Sequence, residues 1–291
     1  MIFGGKNLKK PYELTQSQKM MIFILSMSLY GLSNMITELV PSVYLGPVEF
    51  SIEYFAFIPL TLCILFHPLY AAIGASLGEV IFGELMLGQF GGFGELEKFL
   101  AFSLAMYIAG IMVTDPKNKR QVGIAAITGV AIHQLISSMV DIGKVWVGVD
   151  DFDTIPGLAE SVVVVEGFSF LNDVLFSGIL FALLPTVYLV PRLYGKIEPL
   201  LGMKPRTREN SKAIRLFNPQ LVIISILLAA AAFGFEVVAN TEWNIFEWEA
   251  AFAEDMESTL IWISLGVAVI VSAIVIYFIT SRSKKIRKDA A

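Results

Sequence analysis

From residue 20 to residue 280 long apolar runs alternate with shorter, mostly charged connections, without an internal sequence repeat. The runs lie at about 20–40, 51–66, 68–87, 97–114, 121–146, 161–191, 217–239 and 258–280. A helix crosses the hydrocarbon core of a bilayer in about 20 apolar residues. Lipid offers no partner to backbone N–H and C=O groups, so such runs must satisfy them internally, as helices. The pattern therefore predicts an all-α, polytopic transmembrane helix bundle. Composition agrees: 56% of the 291 residues are hydrophobic, against about 45–50% in a soluble domain. Mean hydropathy is +0.70. The second and third runs are separated only by His67-Pro68, and proline cannot continue a helix, so a tight break is expected there.

The connections alternate in charge. Lys6, Lys9, Lys10 and Lys19 precede the first run. The connection "DPKNKR" carries Lys117, Lys119 and Arg120, and residues 192–216 carry Arg192, Lys196, Lys204, Arg206, Arg208, Lys212 and Arg215. The tail "SRSKKIRK" is basic again. The intervening connections carry Glu38, Glu49 and Glu53, then Asp150, Asp151 and Asp153, then Glu242, Glu247, Glu249, Glu254, Asp255 and Glu257. By the positive-inside rule both termini are cytoplasmic and the number of spans is even. This predicts a multi-pass protein of the plasma membrane. The predicted organisation is a cytoplasmic segment 1–19, a six-helix core 20–195, a basic cytoplasmic loop 196–216, two further spans with an acidic outer loop over 217–281, and a basic tail 282–291. The stretch "TEWNIFEWEAAFAEDME", 241–257, mixes tryptophans with acids, and reads equally as an interfacial segment, a solvent loop or an extension of the last helix. Lys6 to Lys19 before an apolar run resembles a signal peptide, but no small-x-small cleavage site follows, so 20–40 reads as the first span. A single cysteine, Cys63, excludes an intramolecular disulfide and reads as a small buried hydrophobe.

Ionisable residues inside these runs cost anywhere from about 3 to more than 10 kcal/mol at the bilayer centre. The fifth run places His133, Ser137 and Asp141 at i, i+4 and i+8, one stripe of a helix, with Gln134 and Ser138 beside it. The sixth places Glu166, Ser169, Asp173 and Ser177 at helical spacing, with Asn172 adjacent. The third contributes Glu79 and Glu84. Serines and Asn172 have a plain alternative as interhelical hydrogen-bonding groups, at about 1 kcal/mol each. The ionisable residues are too many for that role, and point to a shared wet cavity. The candidate ligand site is Glu79, His133, Gln134, Ser137, Asp141, Glu166, Asn172 and Asp173. Five residues on a straight α-helix turn through about 140° beyond a full circle. Glu79 is therefore expected in the cavity, and Glu84 at the interface or anchoring the loop that follows. Carboxylates outnumber cations in the runs, which leans the ligand toward a cation or an amine. Gly74, Gly78 and Gly83, with Ala71, Ala72 and Ala75, read as a close-packing helix face. Gly88, Gly91, Gly92 and Gly94 in "LGQFGGFGE" read instead as a flexible lid.

Residues 45–85, with Gly46-Pro47 after the first run, a short second run and Gly74/Gly78-Glu79 in the third, resemble the substrate-binding S components of energy-coupling factor transporters. The likeness covers about residues 20–195. It implies a six-helix core that binds a vitamin, metal or related small molecule from outside. The site would use the outer halves of helices four to six and the loops after the first and third. A transmembrane scaffold and two cytoplasmic ATPases would drive release. The partners implied are thus a small-molecule substrate, scaffold and ATPase subunits, and the bilayer, with no nucleic acid. Members dock through small residues of the first helix, where this chain has Ser26, Ser28, Gly31 and Ser33. The two last runs lie beyond the family's core, and the histidine-rich start of nickel and cobalt members is absent.

Other classes fit less well. No G-x-x-x-x-G-K-[ST] pattern occurs, so ATP would be used only by partners. An intramembrane enzyme using Glu79, Glu84 and His133 would lack any H-E-x-x-H pair, and with two histidines in the chain no three-histidine metal site can form. No catalytic motif, cofactor motif or metal site is expected. A proton-coupled secondary transporter would use the same carboxylates, but inverted repeats are not visible.

Overall fold

The structure, a computed structural model, describes residues 14–41, 43–45, 48–50, 52, 54–88, 90, 94–148, 161–207 and 219–240. Several expectations lie outside these residues. They are the run 258–280, the segment 241–257, the tail 282–291, Lys6, Lys9 and Lys10, Gly46-Pro47, Glu53, Gly91 and Gly92, the acids at 150–153, and Arg208, Lys212 and Arg215.

The described chain is helical apart from one small hairpin. The helices are α1 (Gln16–Glu38), α2 (Phe57–Leu65), α3 (Pro68–Gly78), α4 (Gly94–Met112), α5 (Lys119–Val147), α6 (Val162–Asn172), α7 (Leu184–Leu193) and α8 (Pro219–Asn240). The hairpin pairs β1 (Val43–Leu45) with β2 (Val48–Phe50), antiparallel, with Leu45 opposite Val48. Two stretches are wound wider than an α-helix, with i→i+5 hydrogen bonding. Glu79–Leu85 continues α3, and Asp173–Leu183 joins α6 to α7. Among the described residues four helices are long and apolar enough to cross a membrane: Gln16–Glu38, Lys119–Val147, Val162–Leu193 and Pro219–Val237. This is a helical membrane protein.

The expected run 51–66 is corrected to a helix of nine residues, Phe57–Leu65. At 1.5 Å per residue it is about 14 Å long, too short to span. The β-branched and aromatic residues of 43–50 take the hairpin instead. Helix α2 is apolar all round because it is buried all round, from Pro59 to Leu65. The break at His67-Pro68 is present, with Pro68 opening α3.

Helices α1 and α3 cross at backbone contact. A Cβ on Gly74 would strike the Phe23 carbonyl, and one on Gly78 the Met27 carbonyl. Ser26 Oγ donates to the Ala71 carbonyl at 2.6 Å. Two residues expected on a partner-docking face are therefore used inside the molecule. Ser26 is buried under α3, and a Cβ on Gly31 would stand 2.5 Å from the Gly78 carbonyl oxygen. Ser28 and Ser33 are half-buried, and Ser33 Oγ donates to the Tyr30 carbonyl at 2.8 Å. Small residues serve the closest helix pair, and here that pair is intramolecular.

At the end where α1 begins, residues 194–207 fold back over the bundle. Within the expected basic loop from residue 196, Arg206 is 1% exposed. Its guanidinium donates to the carbonyls of Cys63 (2.9 Å), Ile64 (2.8 Å) and Gly110 (3.3 Å). These belong to the last turns of α2 and α4, whose carbonyls have no partner within their helices. Gln18 completes the capping box of α1 with Thr15 and also donates to the Gly202 carbonyl at 2.7 Å.

Candidate functional site

At the opposite end of the bundle a cavity of about 400 Å³ opens between α1, the wide turns after α3, α4, α5 and α6. All eight expected ligand-site residues line it: Glu79, His133, Gln134, Ser137, Asp141, Glu166, Asn172 and Asp173. The α5 stripe supplies His133, Gln134, Ser137, Ser138 and Asp141, as its spacing requires. The sixth run supplies Glu166, Ser169, Asn172 and Asp173 from the facing wall. The two walls are tied where Gln134 Nε2 donates to Asp173 Oδ2 at 3.1 Å.

Both wide-wound stretches begin at a cavity carboxylate, Glu79 in one and Asp173 in the other. Such stretches are frequent at functional sites, where widening the helix re-aims side chains. The widening also corrects the expected division between Glu79 and Glu84. An i→i+5 turn brings residues five apart onto one face, and both carboxylates line the cavity. Their surroundings still differ. Glu84 meets Lys98 at 3.3 Å, whereas Glu79 has no ion pair or hydrogen bond among the described residues.

His133 is held by aromatic edges. Its ring lies 5.0 Å from Phe102 and 5.5 Å from Tyr54, both near perpendicular, and Phe102 stacks on Tyr30 at 4.9 Å. Its Nδ1 is buried without a hydrogen-bond partner among the described residues. Sequence reasoning missed the two lysines and the tyrosine of the lining, Lys98, Lys144 and Tyr54. Lys144 was legible in principle, since it extends the stripe His133, Ser137, Asp141 by three residues. Lys98 sits near the start of an apolar run, where its long side chain reads as solvent-facing.

Each lysine is bracketed by two carboxylates from different elements. Lys98 Nζ lies 3.3 Å from Glu84 and 3.1 Å from Glu95. Lys144 Nζ lies 3.4 Å from Glu97 and 3.0 Å from Glu236 of α8. Gly94 makes room for the second group, since a Cβ there would stand 3.2 Å from Lys144 Nζ and 3.3 Å from Glu236 Oε1. Of the expected lid glycines, Gly94 thus lines the cavity as the first residue of α4, and Gly88 takes φ +74° in the preceding turn. Helix α8, expected as an addition outside the core, packs on α4 and supplies Glu236 to Lys144 of the lining. Seven carboxylates and two lysines line the cavity. Among the described residues no group of three or more His, Cys, Asp or Glu is placed to hold a metal ion.

No curated protein and no solved structure matches the chain. A family model does match, over residues 21–288, and its description is "Family of unknown function (DUF8171)". A likeness that runs from the first membrane helix to the basic tail takes in every wall of the cavity, and the chain belongs to this family of unknown function.

Proposed function

We propose that the protein is an integral membrane substrate-binding subunit for the uptake of a small polar molecule, energised by separate ATPase subunits. The observation that carries this reading is the convergence of eight polar side chains from three apolar runs on one cavity of about 400 Å³. Small-molecule sites occupy about 300–1,000 Å³ and use a few convergent polar groups to orient the ligand. Packing alone does not favour so many ionisable groups in one void within a membrane bundle. The charge alternation of the connections puts the mouth of the cavity outside the cell and the Arg206 end in the cytoplasm. The finer layout, six core spans followed by two more, belongs to this proposal, as does the resemblance to S components of energy-coupling factor transporters.

The test is purification of the tagged protein from its native membrane under mild conditions. An ATPase and a transmembrane scaffold subunit are expected to accompany it, with ATP hydrolysis in the purified complex. Mass spectrometry of the denatured sample is expected to show a small molecule that is lost in His133→Ala and Asp173→Asn, at unchanged membrane expression. Uptake into proteoliposomes that hold this protein alone, driven by a proton gradient, would replace the proposal with a proton-coupled carrier.

A further inference from the structure

Six of the seven cavity carboxylates fall into two groups, one beside the wide-wound stretch after α3 and one beside α5 and α6, and the seventh, Asp173, accepts from Gln134. Glu79 shares its surroundings with Glu38, Glu84 and Lys98. Beside α5 and α6, Asp141 interacts electrostatically with both Glu97 and Glu166, and Glu97 pairs with Lys144 at 3.4 Å. In each group three lining carboxylates accompany one lysine. Each lysine is already engaged by two carboxylates, so neither neutralises the remainder.

One carboxylate per group is left without an ion pair or hydrogen bond among the described residues, Glu79 in one and Glu166 in the other. A separate observation points the same way. Glu97 is 4% exposed and lines the cavity, and among the described residues the cation beside its carboxylate is Lys144, at 3.4 Å, which it shares with Glu236. A buried carboxylate is costly unless it is paired and hydrogen-bonded. The site also shows how it holds an ammonium, since Lys98 and Lys144 each sit between two carboxylates at 3.0–3.4 Å.

We propose that the ligand is a compact organic dication, with two protonated amines on an apolar spacer, one amine meeting Glu79 and the other Glu166. The aromatic edge formed by Tyr54 and His133 lies along the wall and suits the spacer. This rests on the reading of the cavity as a ligand site and names the class of molecule that fills it.

The probes are diaminopropane, diaminobutane, diaminopentane and diaminohexane, with pentylamine, pentanediol and glutarate as monocation, neutral and dianion controls. The full-length protein in lipid nanodiscs is titrated by calorimetry with each. One diamine length is expected to bind at least about tenfold tighter than pentylamine. Glu79→Gln and Glu166→Gln are each expected to cut that advantage to about twofold or less. If an amide variant fails to fold, Glu79→Asp and Glu166→Asp, which keep the charge but withdraw it, take its place with the same expected loss. Equal binding of pentylamine and the diamines to the unmodified protein would overturn the dication. So would tighter binding of glutarate or pentanediol, and if Asp173→Asn abolished that binding, the cavity would stand as a ligand site for another class. Silence of every probe would also overturn it. Failure of a membrane-impermeant thiol reagent to reach Ser137→Cys would then remove the cavity reading as well.

Discussion

Outside the cavity, Arg206 ties the ends of two helices together. Its side chain is buried at the end of the bundle and spends its donors on carbonyls that two helices cannot satisfy themselves. A cation there also complements the negative ends of the α2 and α4 dipoles. Arg206→Met keeps much of the apolar stem and removes the donors, leaving buried carbonyls unpaired. It is expected to destabilise the protein by about 3 kcal/mol. Arg206→Lys is expected to recover little, because one ammonium cannot reach several carbonyls in the planar fan that a guanidinium makes. Thermal unfolding in detergent, followed for both variants, checks this. If Arg206→Met melted like the unmodified protein, water or another side chain would be capping these helices.

At the scale of elements, glycine carries two different meanings. Gly78 stands where α3 touches the α1 backbone at Met27, so a methyl group there must push helices apart. Gly167 on α6 has nothing within 4 Å of where a Cβ would sit. Gly78→Ala is therefore expected to cost about 1–3 kcal/mol by overpacking. Gly167→Ala is expected to be neutral or to stabilise by up to about 1 kcal/mol, since alanine favours the helix. Melting temperatures of the two variants in the same detergent decide it, and equal shifts would mean that the α1–α3 contact is looser than described. The wide-wound stretches work at this scale too. They let Glu79 and Glu84 share one cavity, which a regular α-helix forbids. Spacing in the sequence reported the correct residues here, but a helix assumed regular assigned Glu84 to the wrong place.

For the whole molecule, the charge of the connections gives the expected orientation. A cysteine introduced at Lys119 or Thr207, both exposed, is expected to react with a membrane-impermeant thiol reagent only from the cytoplasmic side. One introduced at Asp151 or Glu254 is expected to react only from outside. The native Cys63 is buried and leaves the background clean. Labelling of Thr207→Cys on intact cells would reverse the orientation and place the mouth of the cavity in the cytoplasm.

The sequence by itself determined the class of fold and eight of the polar residues that line the cavity. Bilayer-length apolar runs leave helices as the only economical way to satisfy the backbone, and a polar stripe at i, i+4, i+8 must face inward in lipid. His133, Ser137 and Asp141 were legible for that reason, as were Glu166 and Asp173. The tertiary structure alone decided what depends on neighbours distant in sequence. The winding that turns Glu84 inward becomes visible only in the folded backbone. Ser26 and Gly31 read as a surface until α3 was seen to cover them. The pairings of Lys98 with Glu84 and of Lys144 with Glu236 join residues 14 and 92 positions apart. Apolar patterning records which side of a helix avoids lipid or water, and it carries no information on which distant charge arrives opposite.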